Sequence, residues 1–190
     1  FRNDWAIWIT GPGEKPILKQ IQGPAATSAM TAHHPLLGTY NLYCEGEVAL
    51  LFTENETNND RLFPEYPNAG PYVKDGINDY VVQGRHAAVN PEHQGTKGAA
   101  YYLQRVEPGQ SMTVRLRLTS QVPVEQDKKK GVAVPFGPAF AETLAARLQE
   151  ADEFYHSVTP PSVSPDAANV MRQALAGMLW SKQYYYFDAD

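Results

Sequence analysis

A mainly β fold, an antiparallel sandwich followed by helical segments, is what this sequence predicts, and three observations predict it. Short runs rich in β-branched and aromatic residues, FRNDWAIWI, TYNLYCEG, VALLFT, NDYVVQG, AAYYLQRV and SMTVRLRLT, fill the first two thirds of the chain between Gly, Pro and Asn. They follow one another without helical segments between them, which favours a sandwich over a βαβ arrangement. After Gln121 the apolar spacing changes from two residues to three and four.

The alternation is clearest in the last strand candidate. Met112, Val114, Leu116 and Leu118 form one face, and Thr113, Arg115, Arg117 and Thr119 the other, the pattern of a half-buried antiparallel strand. Val106-Glu107-Pro108-Gly109-Gln110 supplies the turn residues to join it to the preceding strand as a hairpin. Val122 to Gly131, with the basic run Lys128 to Lys130, has few apolar residues and reads as a solvated linker. Between Pro135 and Val158, the residues Phe140, Leu144, Leu148, Ala151 and Tyr155 make a helical stripe, which TPPSVSP interrupts because proline removes amide donors. A second helix then starts on Ser164 as N-cap, Pro165 in the first position and Asp166 at the positive end of the helix dipole. Its stripe runs Ala167, Val170, Met171, Ala174, Leu175, Met178, Leu179. It ends in Trp180, Tyr184, Tyr185, Tyr186 and Phe187, each able to bury roughly 150–250 Å² against a partner. With Phe1 in place of an initiator Met, the chain reads as an internal piece of a longer protein. The expected organisation is a partial sandwich over 1–121, a linker and bridging helix over 122–163, and the start of a second domain over 164–190.

Several function classes fall away on composition. The 190 residues carry 16 basic and 21 acidic side chains, a net charge of −5, which gives no basic footprint for nucleic acid. A hydrophobic content of 43% indicates a folded chain, yet no apolar run approaches the ~20 residues that span a bilayer. Neither nucleic acid nor membrane is an expected partner, and a cytoplasmic protein is the expectation. The single cysteine, Cys44, sits in a strand-like setting and reads as a buried structural thiol. There is no G-x-S-x-G elbow, Walker loop, dinucleotide fingerprint or H-E-x-x-H pair, and no cofactor is expected.

The polar loops between strands hold the candidate chemistry. Glu54, Glu56 and Asp60 could offer oxygen ligands to calcium but lack the EF-hand order, and the competing reading is a loop whose Asn and Asp satisfy its own backbone. Asn55-Glu56-Thr57 matches a glycosylation sequon, a pattern too short to be specific. His33, His34, His86 and His93 lack metal spacing. The strongest cluster is Lys74-Asp75-Gly76-Ile77-Asn78-Asp79, where Lys74, Asp75, Asn78 and Asp79 put a cation, two carboxylates and an amide around one glycine. These groups suit sugar hydroxyls, and they equally suit an internal Lys–Asp pair closing the loop.

The blocks LLFTENETNNDRLF, PYVKDGINDYVVQGR, AVNPEHQGTKGAAYY, EADEFY and VMRQALAGMLWSKQYYYFD resemble bacterial members of glycoside hydrolase family 63, the mannosyl-oligosaccharide glucosidase-like proteins, over nearly the whole chain. That resemblance implies the later strands of an antiparallel β super-sandwich, a linker helix and the first helix of an (α/α)6 barrel. It further implies inverting hydrolysis of α-glucosides by an Asp acid and a Glu base about 6.5–9.5 Å apart. Both would lie in the remainder of the barrel, and neither Asp188 nor Asp190 is given a catalytic role. It raises a substrate-binding role for the Lys74 to Asp79 loop. Trp180, Lys182, Gln183 and Tyr184, at the far end of the first barrel helix, become candidates for stacking on and hydrogen-bonding to sugar, against a competing role in helix packing.

Overall fold

In the computed structural model, residues 15–24, 26–121 and 134–180 are described. They fall into two compact units, residues 1–137 and 138–190. The first holds seven strands, β1 (Ile17–Ile21), β2 (Thr27–His34), β3 (Gly38–Glu45), β4 (Ala49–Thr53), β5 (Gln94–Gly95), β6 (Lys97–Tyr101) and β7 (Leu116–Thr119), and the helices α1 (Asn59–Leu62) and α2 (Gly76–Gln83). The second holds α3 (Pro138–Val158) and α4 (Pro165–Trp180). Both sheets are antiparallel: β5-β1-β2-β3-β7, and β4 with β6.

The sheets meet through one core. Register places Leu18 opposite Ala32, Met30 opposite Leu42 and Cys44 opposite Leu116, so these side chains share a face of the large sheet. Leu18, Met30, Ala32 and Cys44 pack with Leu50 and Phe52 of β4, and Phe52, Met30 and Cys44 are 0% exposed. Gly98 on β6 permits this approach, because a Cβ there would stand 3.0 Å from Met30 Sδ and 3.2 Å from Leu18 Cδ2. Gly95 does the same for the backbone, since its Cβ would lie 2.4 Å from the Thr53 carbonyl oxygen.

Three expectations are corrected. NDYVVQG is not a strand: Gly76–Gln83 is a helix, with Gly76 and Asp79 buried while Val81 and Val82 face outward. Its stop is Gly84, at φ 66° and ψ 19°, after which the Arg85 amide donates to the Asp79 carbonyl at 3.1 Å. SMTVRLRLT pairs only over Leu116–Thr119, and its apolar side is the more exposed one, Leu116 at 49% and Leu118 at 52%. These leucines stand on β7, an edge strand of the large sheet. The proposed hairpin is absent, because β6 pairs with β4 and β7 with β3. The candidate strand FRNDWAIWI, the linker around Lys128 to Lys130 and the terminal aromatics beyond Trp180 lie outside the described residues.

Both long helices form where the spacing puts them. Ser164 caps α4, its Oγ accepting from the Ala167 amide at 3.2 Å and its carbonyl from the Ala168 amide at 2.9 Å. Arg172 joins α4 to α3 through Asp152 at 2.6 Å, its guanidinium 4.9 Å from the centre of the Tyr155 ring. No residue of either helix is buried.

Candidate functional site

A hollow of about 900 Å³ opens where the β4–α1 loop meets α2 and the short 3₁₀ turn His86–Ala88. Its frame grows from β4, buried from Leu50 to Thr53, whose end carries the loop. The Glu54 amide donates to the Tyr72 carbonyl at 2.7 Å and the Lys74 amide to the Glu56 carbonyl at 3.0 Å, laying the two segments side by side. On the far wall the Asn90 amide donates to the Phe52 carbonyl at 2.8 Å. Gly76 lets the walls close: a Cβ there would fall 2.2 Å from the Ala88 carbonyl oxygen.

Asparagines knit the near wall. Asn58 Oδ1 accepts from the Arg61 amide at 3.3 Å, capping α1, while Asn58 Nδ2 donates to both Asp75 oxygens at 3.2 and 3.0 Å. Asn68 Oδ1 accepts from the Asn59 amide at 2.7 Å, and its own amides donate to Asp60 at 2.9 and 3.0 Å. This is the self-satisfied Asn/Asp loop anticipated from the sequence. The carboxylates weighed as calcium ligands are all engaged: Glu54 by the Thr96 hydroxyl at 2.7 Å, Glu56 by Lys15, Asp60 by Asn68. Among the described residues no group of three or more His, Cys, Asp or Glu could hold a metal.

The proposed Lys–Asp closure does not form. Lys74 Nζ donates to Thr57 Oγ1 at 3.0 Å, and the carboxylates find arginines instead, Asp75 with Arg61 at 3.5 Å and Asp79 with Arg85 at 3.3 Å. Of the four loop candidates, Asp75 and Asp79 line the hollow together, whereas Lys74 and Asn78 do not. Asp79 is 9% exposed and its Oδ1 has no hydrogen-bond partner among the described residues. Trp180 ends α4 in the other unit at 92% exposure, and Lys182, Gln183 and Tyr184 lie outside the described residues.

Sequence reasoning missed Asn58, Arg61, Asn68 and Arg85. Arg85 had a signal, since the Gly-Arg pair after a helix marks a C-cap whose next residue folds back on the last turn. Arg61 and Asn68 had none, because their partners are 14 and 8 residues away. Behind the turn a second hollow of about 580 Å³ shares His86 and Ala87 with the first and adds Tyr72, Tyr80 and His93. Tyr80 stands edge-on to His86 at 4.6 Å and to Tyr101 at 6.1 Å, fixing that wall.

No family model matches the chain, and no solved structure matches it. The chain is 35% identical over 210 aligned residues to the uncharacterized protein YMR196W of Saccharomyces cerevisiae, an alignment spanning 100% of this chain and 19% of that protein. It thus spans about a fifth of the length of the curated relative it matches. Among the described residues, no helix is long and apolar enough to cross a membrane.

Proposed function

We propose that this chain is part of an inverting α-glycosidase of the family 63 kind, acting on α-linked glucosides or oligosaccharides. The antiparallel sheets would belong to its sandwich and α4 would open its (α/α)6 barrel, with the catalytic Asp and Glu elsewhere in the barrel. One observation carries the reading. Two of the blocks that carry the family resemblance, LLFTENETNNDRLF and PYVKDGINDYVVQGR, converge on one hollow of about 900 Å³ lined by carboxylates, guanidiniums and carboxamides. Such groups present donors and acceptors in fixed directions, the equipment for reading hydroxyls. A cytoplasmic protein goes with this proposal.

The test is hydrolysis of aryl α-glucosides by the natural full-length protein, followed by NMR of the first-formed sugar. Release of the β-anomer is expected, and retention or no hydrolysis overturns the reading. The 190-residue chain alone is expected to be inactive; turnover above a blank would place the acids within it. A second reading, a non-catalytic carbohydrate-binding or interdomain module, draws on the closed network of Asn58, Asn68, Asp60 and Asp75. It predicts no hydrolysis by the full-length protein. If the module is purely structural, Asp75→Asn and Asn78→Ala leave its affinity for sugars unchanged.

A further inference from the structure

We infer that the Asp79–Arg85 couple is a reader of two adjacent hydroxyls on a neutral sugar unit, and that the hollow discriminates against anionic ligands. The inference rests on the carbohydrate reading above and gives it a chemical selectivity.

The charges argue first. Two guanidiniums line the hollow, which at first sight suits a phosphate or carboxylate. Each is already neutralised, Arg61 by Asp75 and Arg85 by Asp79, and Asp60 adds a third carboxylate to the lining. An anion would meet no surplus positive charge. A cation would meet carboxylates that are each already paired with a guanidinium or an amide donor at one oxygen at least. What remains suits a ligand that both donates and accepts without charge.

Asp79 argues second. It is 9% exposed, its Oδ2 faces Arg85, and its Oδ1 has no partner among the described residues. A buried acceptor left unmade is costly, and charge-assisted bonds are the strong ones, so a hydroxyl arriving at Oδ1 gains more than one binding an exposed group. Arg85 is held beside it by Gln83 Oε1, which accepts from both Nε and Nη2, leaving Nη1 without a partner among the described residues. Acceptor and donor therefore stand side by side on one α2 end, the complement of neighbouring hydroxyls of which one donates and the other accepts. Oδ1 is itself shielded from solvent, so in this proposal a hydroxyl reaches it only after a neighbouring side chain moves.

The experiment titrates the full-length protein by NMR with methyl α-D-glucopyranoside, its four monodeoxy analogues, D-glucuronate and inorganic phosphate, reading binding rather than turnover. The wild type is expected to bind the parent sugar and neither anion, and to lose about tenfold in affinity for the analogue lacking the hydroxyl read by Asp79. Asp79→Asn is expected to lose the same factor on the parent sugar and nothing further on that analogue. If Asp79→Asn fails to fold by circular dichroism, Arg85→Gln, altered at an exposed side chain, serves in the same cycle with the analogue lacking the neighbouring hydroxyl. Preferential binding of phosphate or glucuronate, or an equal loss on every analogue, overturns the inference. Hydrolysis of α-glucosides with an unchanged deoxy pattern in both variants would sink the inference and leave the glycosidase reading standing. The coupling without any hydrolysis would do the reverse.

Discussion

Gly76 and Gly98 both sit where a Cβ would crowd its neighbours, but those neighbours differ in how far they can give. A Cβ on Gly76 would meet the Ala88 carbonyl at 2.2 Å, backbone that cannot rotate away, whereas on Gly98 it would meet Met30 Sδ at 3.0 Å, the end of a flexible side chain. Gly76→Ala is therefore expected to cost about 1–3 kcal/mol and Gly98→Ala under about 1 kcal/mol. Urea denaturation followed by far-ultraviolet dichroism measures both, and the reverse order would refute the argument. Cys44 is 0% exposed, and burial pushes its thiol above the ordinary value. Native protein at pH 8 is expected not to react with Ellman's reagent, and to react with one equivalent once unfolded. Glu45 offers a pH test. Its pairing with Arg115, including a 2.7 Å bond from Nε, holds the carboxyl below its ordinary value of 4.5. A depressed folded pKa contributes stability that is complete above 4.5 and fades as pH falls through the lower folded value. Glu45→Gln is expected to remove that acid-side slope and leave the neutral plateau nearly unchanged, the pair being partly exposed.

Among the elements, α1 shows how little of the site rests on regular structure. It has four residues, and its start depends on Asn58, which also fastens Asp75 across 17 residues. Asn58→Ala removes a cap and two bonds to a carboxylate, an expected loss of about 1–3 kcal/mol. The loss should be local, so limited proteolysis is expected to cut residues 55–70 in the variant before it cuts the sheets; uniform digestion would show the loop is not a separate unit. The same element explains what the sequence made legible. β3 and β4 were visible because TYNLYCEG and VALLFT are aromatic and branched, and α4 because Ser164-Pro165-Asp166 is a complete start signal. β1 and β2 were not, since ILKQI is short and broken by Lys19 and Gln20, TSAMTAHH is small and polar, and both gain their stability from pairing on both sides. NDYVVQG misled because Val81 and Val82, which favour strands locally, stand on the outward face of α2, where packing of Gly76 and Asp79 decides. At the site, Asp75 and Asp79 were legible as a local cluster and Arg85 followed from the α2 C-cap, but Arg61, 14 residues from Asp75, meets it only in the tertiary fold.

For the molecule as a whole, the two units differ in what holds them. β2 and β3 are central strands, paired along both edges and backed by a core with Met30 and Cys44 fully covered. The helices α3 and α4, of 21 and 16 residues, bury none of their residues, and Leu144, Leu148, Met178 and Leu179 are each more than 60% exposed. Helical propensity, the ion pairs Arg147–Glu150 and Arg172–Asp152 and the cap at Ser164 leave such segments marginal in water. In the 190-residue chain, amide hydrogen exchange is therefore expected to be fast across α3 and α4 and slow across β2 and β3. In the natural full-length protein the glycosidase proposal makes a sharper demand. If α4 opens a barrel, its stripe of Val170, Met171, Leu175 and Met178 must be covered there, and its amides should become as protected as those of the sheet. Slow exchange in α4 already in the 190-residue chain would mean the stripe needs no further helices. Fast exchange in both forms would mean that no barrel closes over it, and either outcome would remove the structural basis for placing the catalytic acids beyond this chain.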